Sequence, residues 1–146
     1  MNSERNCKFC RIVSGSSPAS VVLQDESCVA FLDSRPLFHG HCLLLPGSHY
    51  ETLMDLPNAL IGSLFTNAKL LCRAVEEAMD AEGTFVAINN KISQSVPHLH
   101  VHVVPRRKKD GLSGFFWPRH PYADEEQVNE VAEKIAAAVK KLRTVN

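Results

Sequence analysis

Three histidines at alternate positions are the residues of this sequence best suited to chemistry. They stand in the run Pro97-His98-Leu99-His100-Val101-His102-Val103-Val104. Residues two apart share one face of a β-strand, so His98, His100 and His102 would form a row with roughly 6.5–7 Å between neighbours. Neutral imidazole is a nucleophile near pH 7 and also a metal ligand. The row therefore predicts catalysis or metal binding, and the alternative is a solvated, histidine-rich strand face.

Motifs elsewhere in the chain extend this pattern. Gln94-Ser95-Val96-Pro97 directly precedes the triad, Ile88-Asn89-Asn90 stands before it, and Ala30-Phe31-Leu32-Asp33 and Gly40-His41 lie upstream. In this order the motifs resemble the signature of the histidine-triad (HIT) family, over about residues 7–117. The resemblance implies a HIT-like α+β fold with an antiparallel sheet of about five strands and two helices. It also implies a homodimer in which two such sheets form one continuous sheet.

The resemblance further implies roles for individual residues. His100, the middle histidine, would be the nucleophile, and His102 would bind the phosphate under attack. His41 resembles a fourth active-site histidine that helps hold the array, and Asp33 resembles the acidic residue that accepts hydrogen bonds from the ribose hydroxyls. The polar groups around the phosphates and the leaving group would be Asn89, Gln94 and Ser95.

The family's chemistry implies a hydrolase that cleaves at the α-phosphate of nucleoside phosphoramidates or dinucleoside polyphosphates. A nucleotidyl-histidine intermediate would form and release a nucleoside monophosphate, with no cofactor needed for the chemistry. The resemblance favours a purine nucleotide as substrate. Three alternatives stay open: a nucleotidyltransferase with an acceptor other than water, a non-catalytic nucleotide-sensing module, and a histidine-rich metal-binding protein.

A second set of residues could bind zinc. Cys7 and Cys10 form a CxxC pair, which alone is a weak signal for a redox motif or half of a metal site. HIT proteins with an N-terminal CxxC pair resemble this chain at His49 and His98 as well, and the four residues would be a closed Cys2His2 set for structural zinc. His98 would then be a ligand rather than a catalyst. The alternative is two buried thiols and an ordinary pair of histidines.

Hydropathy and turn residues predict the elements that position these groups. Short strands are expected at residues 21–23, 28–33, 42–46, 84–89 and 99–105, and the last of these carries the triad. The spacing of apolar residues predicts a helix from about Asn58 to Met79, with Asp55 as its cap. It predicts another over about residues 124–142, which starts near Asp124 with Gln127 as a capping-box partner. Strands and helices that do not alternate strictly predict an α+β domain with an antiparallel sheet.

Composition places few restrictions on function. The 146 residues fit a single domain, 1–146, and 16 basic residues balance 16 acidic ones, so no nucleic-acid partner is expected. No apolar run is long enough to span a membrane, and the first ten residues lack a signal-peptide pattern, so a cytoplasmic protein is expected. The basic run Arg106-Arg107-Lys108-Lys109 is interpreted as a solvated turn. Trp117 is interpreted either as a residue that covers a dimer interface or the leaving group of the substrate, or as a residue of the hydrophobic core.

Overall fold

A computed structural model describes residues 6–112 and 119–144. The chain forms two compact units, residues 1–110 and 111–146, which are described separately. The second unit contains α3, Glu125–Arg143. The first unit contains, in chain order, α1 (Lys8–Val13), β1 (Val21–Gln24), β2 (Cys28–Leu32), β3 (Cys42–Pro46), a 3-10 helix (Leu53–Asp55), α2 (Asn58–Met79), β4 (Gly83–Ala87) and β5 (Val101–Arg106).

The five strands form one antiparallel sheet in the order β1-β2-β3-β5-β4. The predicted α+β class and the five-stranded antiparallel sheet are therefore confirmed. β5 lies inside the sheet, where His102 is paired with Leu43 on β3 and with Ala87 on β4. Because hydrogen bonds hold this strand on both sides, the backbone that carries His102 is fixed more firmly than an edge strand would be.

The two faces of the sheet carry separate hydrophobic clusters. One includes Leu99, Val101 and Val103, which pack with the buried side of α2 and are almost fully buried, as expected for the residues between the histidines. The other includes Phe9 and side chains of β2 and β3 that point the opposite way, among them Phe31. Alternation along the strands produces this division, because neighbouring residues face opposite sides. The segment that carries the triad thus has its other face anchored in the core.

Helix α2 has the predicted bounds, Asn58–Met79, but not the predicted cap. Pro57 precedes the helix without a capping hydrogen bond, and the Asp55 carboxylate instead accepts hydrogen bonds from the backbone N–H and hydroxyl of Thr52. The prediction of Asp55 as the α2 cap was wrong because a 3-10 turn, Leu53–Asp55, intervenes and Asp55 closes its capping box. At the other end, Asp80 adopts a left-handed conformation with φ of 51°.

Two elements of the first unit were not predicted, namely α1 and the 3-10 helix. Strand boundaries also differ: β5 begins at Val101 rather than at residue 99, and β4 ends at Ala87 rather than at residue 89. Leu99 explains the first difference, because its backbone N–H donates to the carbonyl of Tyr50 at 2.6 Å instead of pairing with a strand. His98 and His100 therefore precede β5, and only His102 lies within it.

Helix α3 begins where the sequence predicted. The Asp124 carboxylate caps it by accepting from the Gln127 backbone N–H at 2.8 Å, and the Gln127 side chain accepts from the N–H of Ala123. Acidic residues in its first turn and basic residues in its last turn complement the helix dipole. Among the described residues, no helix is long and apolar enough to cross a membrane.

Candidate functional site

The triad histidines occupy three different environments. His98 is fully buried, His100 is 5% exposed, and His102 is partly exposed. The rings of His100 and His102 lie 5.0 Å apart, centre to centre, which is less than the strand repeat because the side chains lean together. His98 turns instead towards His49, with a ring separation of 5.0 Å. The row therefore divides into a pair, His100 and His102, and a third member that joins another cluster.

The orientation of His100 is set by the backbone. Its Nδ1 lies 2.6 Å from the carbonyl oxygen of His98. A carbonyl only accepts, so Nδ1 carries the proton, and the lone pair of the neutral ring is on Nε2. The Phe9 ring makes a T-shaped contact with the His100 ring, with the ring centres 5.1 Å apart and the planes perpendicular. An imidazole that is held in place through its Nδ1 proton and has its lone pair on Nε2 is the arrangement a nucleophile requires.

His41 and His102 form a second pair beside it. His41 stands immediately before β3, is buried, and places Nε2 at 3.0 Å from Nδ1 of His102 and 3.7 Å from the Asp33 carboxylate. Burial lowers the pKa of His102 to about 4, and the nearby His100 and His41 add to the effect. Burial also lowers the pKa of His41, against the opposing influence of Asp33. Both rings are therefore neutral at neutral pH.

A cavity of about 530 Å³ opens onto His100 and His102. The cavity is lined by four of the predicted residues: His100, His102, Asp33 and Ser95. The sheet and two loops, one after β2 and one before the triad, bring these residues together. Asp33 is positioned by two backbone contacts: its carboxylate accepts from the N–H of Arg35 at 2.9 Å, and its own N–H donates to the carbonyl of His41. Such a cavity is large enough for a small ligand.

Two of the predicted polar residues lie elsewhere. Asn89 and Gln94 are not among the described residues that line the cavity. The Gln94 side chain instead holds its own loop, since it donates to the carbonyl of Glu51 and accepts from the N–H of Lys91. Asn90 accepts from the N–H of Leu53 at 2.9 Å. In this structure Gln94 and Asn90 act as loop supports, while the roles of Asn89 and Gln94 towards a nucleotide stay predictions.

Cys7, Cys10, His49 and His98 do meet in one cluster. Their ligand atoms, Sγ for cysteine and one ring nitrogen for histidine, all lie within 4.8 Å of one another. Nδ1 of His98 is 3.6 Å from Sγ of Cys7 and 3.5 Å from Sγ of Cys10, and Nδ1 of His49 is 3.2 Å from Sγ of Cys10. Chain segments up to 91 residues apart supply these atoms. The cluster is a possible Cys/His metal site.

The Nε2 atoms of His98 and His49 show whether these histidines can offer Nδ1 to a metal. Nε2 of His98 lies 3.1 Å from the carbonyl of Pro46, so it carries the proton and leaves the Nδ1 lone pair directed at the thiols. Nε2 of His49 is buried and has no hydrogen-bond partner among the described residues. Two histidines whose Nδ1 atoms face two thiols, in a set of four donors, fit the tetrahedral preference of zinc. The remaining cysteines, 28, 42 and 72, are free thiols on core elements.

The basic run that begins at the last residue of β5 makes local contacts. Arg106 pairs with Asp110, the guanidinium of Arg107 donates to the carbonyls of Met79 and Asp80 at the end of α2, and Lys108 lies 3.9 Å from a carboxylate oxygen of Glu82. These contacts support its interpretation as a turn. The aromatic segment that includes Trp117 lies outside the described residues.

Sequence reasoning missed two parts of this site. Phe9 lies between the CxxC cysteines and packs against both His98 and His100. Its position inside the CxxC motif was the available signal, because a residue between two ligands is held near them. The backbone N–H of Leu37 donates to Nδ1 of His41 at 3.1 Å, and no side-chain pattern could have revealed it.

Comparison with known proteins assigns the family. A family model described as the HIT domain matches residues 14–109. The chain is 32% identical to the protein "Adenylylsulfatase HINT3" of Arabidopsis thaliana over 75% of this chain and 56% of that protein, so it covers little more than half of that relative. It is 30% identical to "Adenosine 5'-monophosphoramidase hnt1" of Schizosaccharomyces pombe, over 92% and 99% of the two chains. The chain belongs to the HIT family.

A solved structure supports the same assignment. A "ZN-bound histidine triad family protein" from Mycobacterium smegmatis is 34% identical to this chain. The match covers 98% of this chain and 99% of that protein, with a TM-score of 0.71. The resemblance to this family expected from the sequence is thereby confirmed, together with the fold it implied.

Proposed function

We propose that this chain is a nucleotide hydrolase that cleaves at the α-phosphate through a nucleotidyl-histidine intermediate. The observation that carries the proposal is the hydrogen bond from Nδ1 of His100 to the carbonyl of His98, because it leaves the Nε2 lone pair free beside the cavity. Membership of the HIT family and the hydrolase names of two relatives support the general class.

The reaction takes two displacements. Nε2 of His100 forms a bond to phosphorus, and the bond from phosphorus to the leaving group breaks with its electron pair going to that group. Water then attacks the same phosphorus and releases a proton to solvent, and the bond to Nε2 breaks with its electron pair returning to Nε2. The nucleoside monophosphate departs, and His100 again carries its proton on Nδ1 and a lone pair on Nε2. His102, 5.0 Å away ring to ring, stabilises the charge on the phosphoryl oxygens, and His41 supports His102.

Binding uses the groups around the cavity. Asp33 accepts hydrogen bonds from the ribose hydroxyls, and its two backbone contacts hold the carboxylate ready for them. Ser95 lines the same cavity as His100 and His102 and is assigned to the phosphates or leaving group, with Asn89 and Gln94 as further candidates. A purine base is proposed on the family resemblance.

The leaving group is either an amine, whose nitrogen takes up a proton from solvent as its bond to phosphorus breaks, or a stable anion such as sulfate or a nucleotide. The names of the two relatives refer to a phosphoramidase and an adenylylsulfatase, both of which remove a substituent from an adenylyl group. We favour nucleoside phosphoramidates, with dinucleoside polyphosphates next. A nucleotidyltransferase or a binding module without turnover would leave the same geometry in place, so activity has to separate them.

The Cys7, Cys10, His49 and His98 cluster is proposed to hold structural zinc. When bound, the ion would cross-link α1 and the segment before β5 and would take no part in the reaction. Homodimer formation is proposed as well, because the sheet has edges at β1 and β4, and pairing of one edge with a second copy would remove it.

Turnover of an adenosine phosphoramidate tests the hydrolase. The wild-type chain at micromolar concentration should release AMP catalytically, and His100→Ala should lose at least about a thousandfold in kcat. His39→Ala is the matched control, since His39 is an exposed histidine and is absent from the described lining of the triad cavity. A wild-type chain that binds AMP but shows no turnover on phosphoramidates, diadenosine polyphosphates or adenylyl sulfate would favour the binding module.

A further inference from the structure

Two hydrogen bonds between nitrogen atoms link the main chain before β3 to the triad. The backbone N–H of Leu37 points at Nδ1 of His41, with the two nitrogens 3.1 Å apart. Nε2 of His41 lies 3.0 Å from Nδ1 of His102. A backbone N–H only donates, so Nδ1 of His41 must hold a lone pair. In a neutral imidazole the proton is then on Nε2, which makes His41 the donor to His102.

This order of donors fixes the second ring as well. Nδ1 of His102 accepts from His41, so the proton of a neutral His102 is on Nε2. We infer that the Leu37 amide sets the tautomer of His102 through His41, so that His102 presents an N–H group, and not a lone pair, to the phosphoryl oxygens. His41 is a positioning residue in this chain of hydrogen bonds. The inference deepens the proposed function and rests on it for its catalytic consequence.

The same geometry argues against a second metal site. A metal site would need ligand atoms close to one another, and three residues meet this condition. Each of Asp33, His41 and His102 offers one ligand atom, and the three atoms lie within 4.8 Å of one another. A metal bound at Nε2 of His41 would need the lone pair there and the proton on Nδ1. That proton would point at the N–H of Leu37, and the two donors would repel. The His41–His102 contact is therefore a hydrogen bond.

The two histidines of the pair are thus held in opposite tautomers. The His98 carbonyl places a proton on Nδ1 of His100, which leaves a lone pair on Nε2 for attack. The Leu37 N–H, acting through His41, places the proton of His102 on Nε2 for hydrogen bonding. One backbone carbonyl and one backbone amide distinguish the nucleophile from the phosphate donor. Two neighbouring imidazoles of identical chemistry acquire different functions in this way.

Nitrogen NMR of the protein labelled with 15N, at pH 8, tests the tautomers without any substrate. Unprotonated and protonated ring nitrogens have well separated shifts, and N–H···N hydrogen bonds give scalar couplings between the two nitrogens. We expect couplings from Leu37 N to His41 Nδ1 and from His41 Nε2 to His102 Nδ1. A protonated Nδ1 on either ring, or no coupling between the two rings, would overturn the inference.

Two amide variants test the consequence for catalysis. His41→Gln can place an NH2 group near the position of Nε2, whereas the shorter His41→Asn places it near Nδ1. We expect His41→Gln to stay within about threefold of the wild-type kcat and to keep His102 protonated on Nε2, and His41→Asn to lose about tenfold or more and to mix the His102 tautomers. Equal kcat in the two variants would contradict the proposed relay. A wild type without turnover would defeat the proposed function instead, while the couplings would still decide the tautomers.

Discussion

Removal of the two cysteines of the CxxC pair should abolish a zinc-dependent part of the stability. The cluster offers four ligand atoms within 4.8 Å of one another, which is one tetrahedral site. When one ion binds only the folded chain, each tenfold rise in free zinc above the dissociation constant adds about 1.4 kcal/mol to the free energy of unfolding. For a chain of this length that corresponds to about 3–6 °C in Tm per decade of free zinc.

Thermal unfolding in zinc-buffered solutions measures this slope. Metal-stripped wild-type protein should show the rise, and the double variant Cys7→Ser, Cys10→Ser should show a flat line. Cys72→Ser is the control, because Cys72 is a free thiol on α2 outside the cluster and its loss should leave the slope unchanged. A wild-type Tm that does not respond to metal removal or to buffered zinc would refute the metal assignment.

Three other outcomes are expected. Because the pKa of His102 falls from 6.5 to about 4 on folding, the unfolded chain binds more protons between these values. The contribution of His102 to stability should be full above pH 6.5 and fall by on the order of 2 kcal/mol towards pH 4, after a discount for the partial exposure of the ring, as urea titrations of the wild type and a His102 variant can measure. Phe9→Ala should destabilise the fold by about 3 kcal/mol and Phe9→Leu by less than about 1.5, since this buried ring packs on Phe31 and His100; equal losses would contradict that packing. Light scattering should give twice 16.2 kDa, and a monomer at micromolar concentration would oppose the dimer.

Local patterns predicted the elements whose stability is local. Helix α2 was predicted with approximately correct bounds, because its 22 residues repeat apolar side chains at helical spacing. Helix α1 was missed because six residues carry little periodicity, and contacts of Cys7 and Cys10 with His49 and His98 tie this segment to distant parts of the chain. Helices this short depend on such tertiary contacts.

The start of β5 shows a second limit of sequence patterns. Alternation of apolar residues and histidines extends back to residue 98, but a strand also needs a partner. The Leu99 N–H bonds the carbonyl of Tyr50, so pairing starts at Val101. The grouping of His100, His102 and Asp33 at one cavity followed from motif resemblance, whereas the tautomers depend on a backbone carbonyl and a backbone amide that no residue pattern specifies.

The stereochemical course at phosphorus tests the central mechanism most directly. A nucleophilic His100 requires two in-line displacements, each of which inverts phosphorus, so the product should show net retention. The measurement uses an adenosine phosphorothioate substrate of known configuration, hydrolysed in isotopically labelled water, with the configuration of the product thiophosphate then determined. Retention, lost together with turnover in His100→Ala, is the expected result. Inversion would mean that water attacks phosphorus directly and would contradict the assignment of His100 as nucleophile.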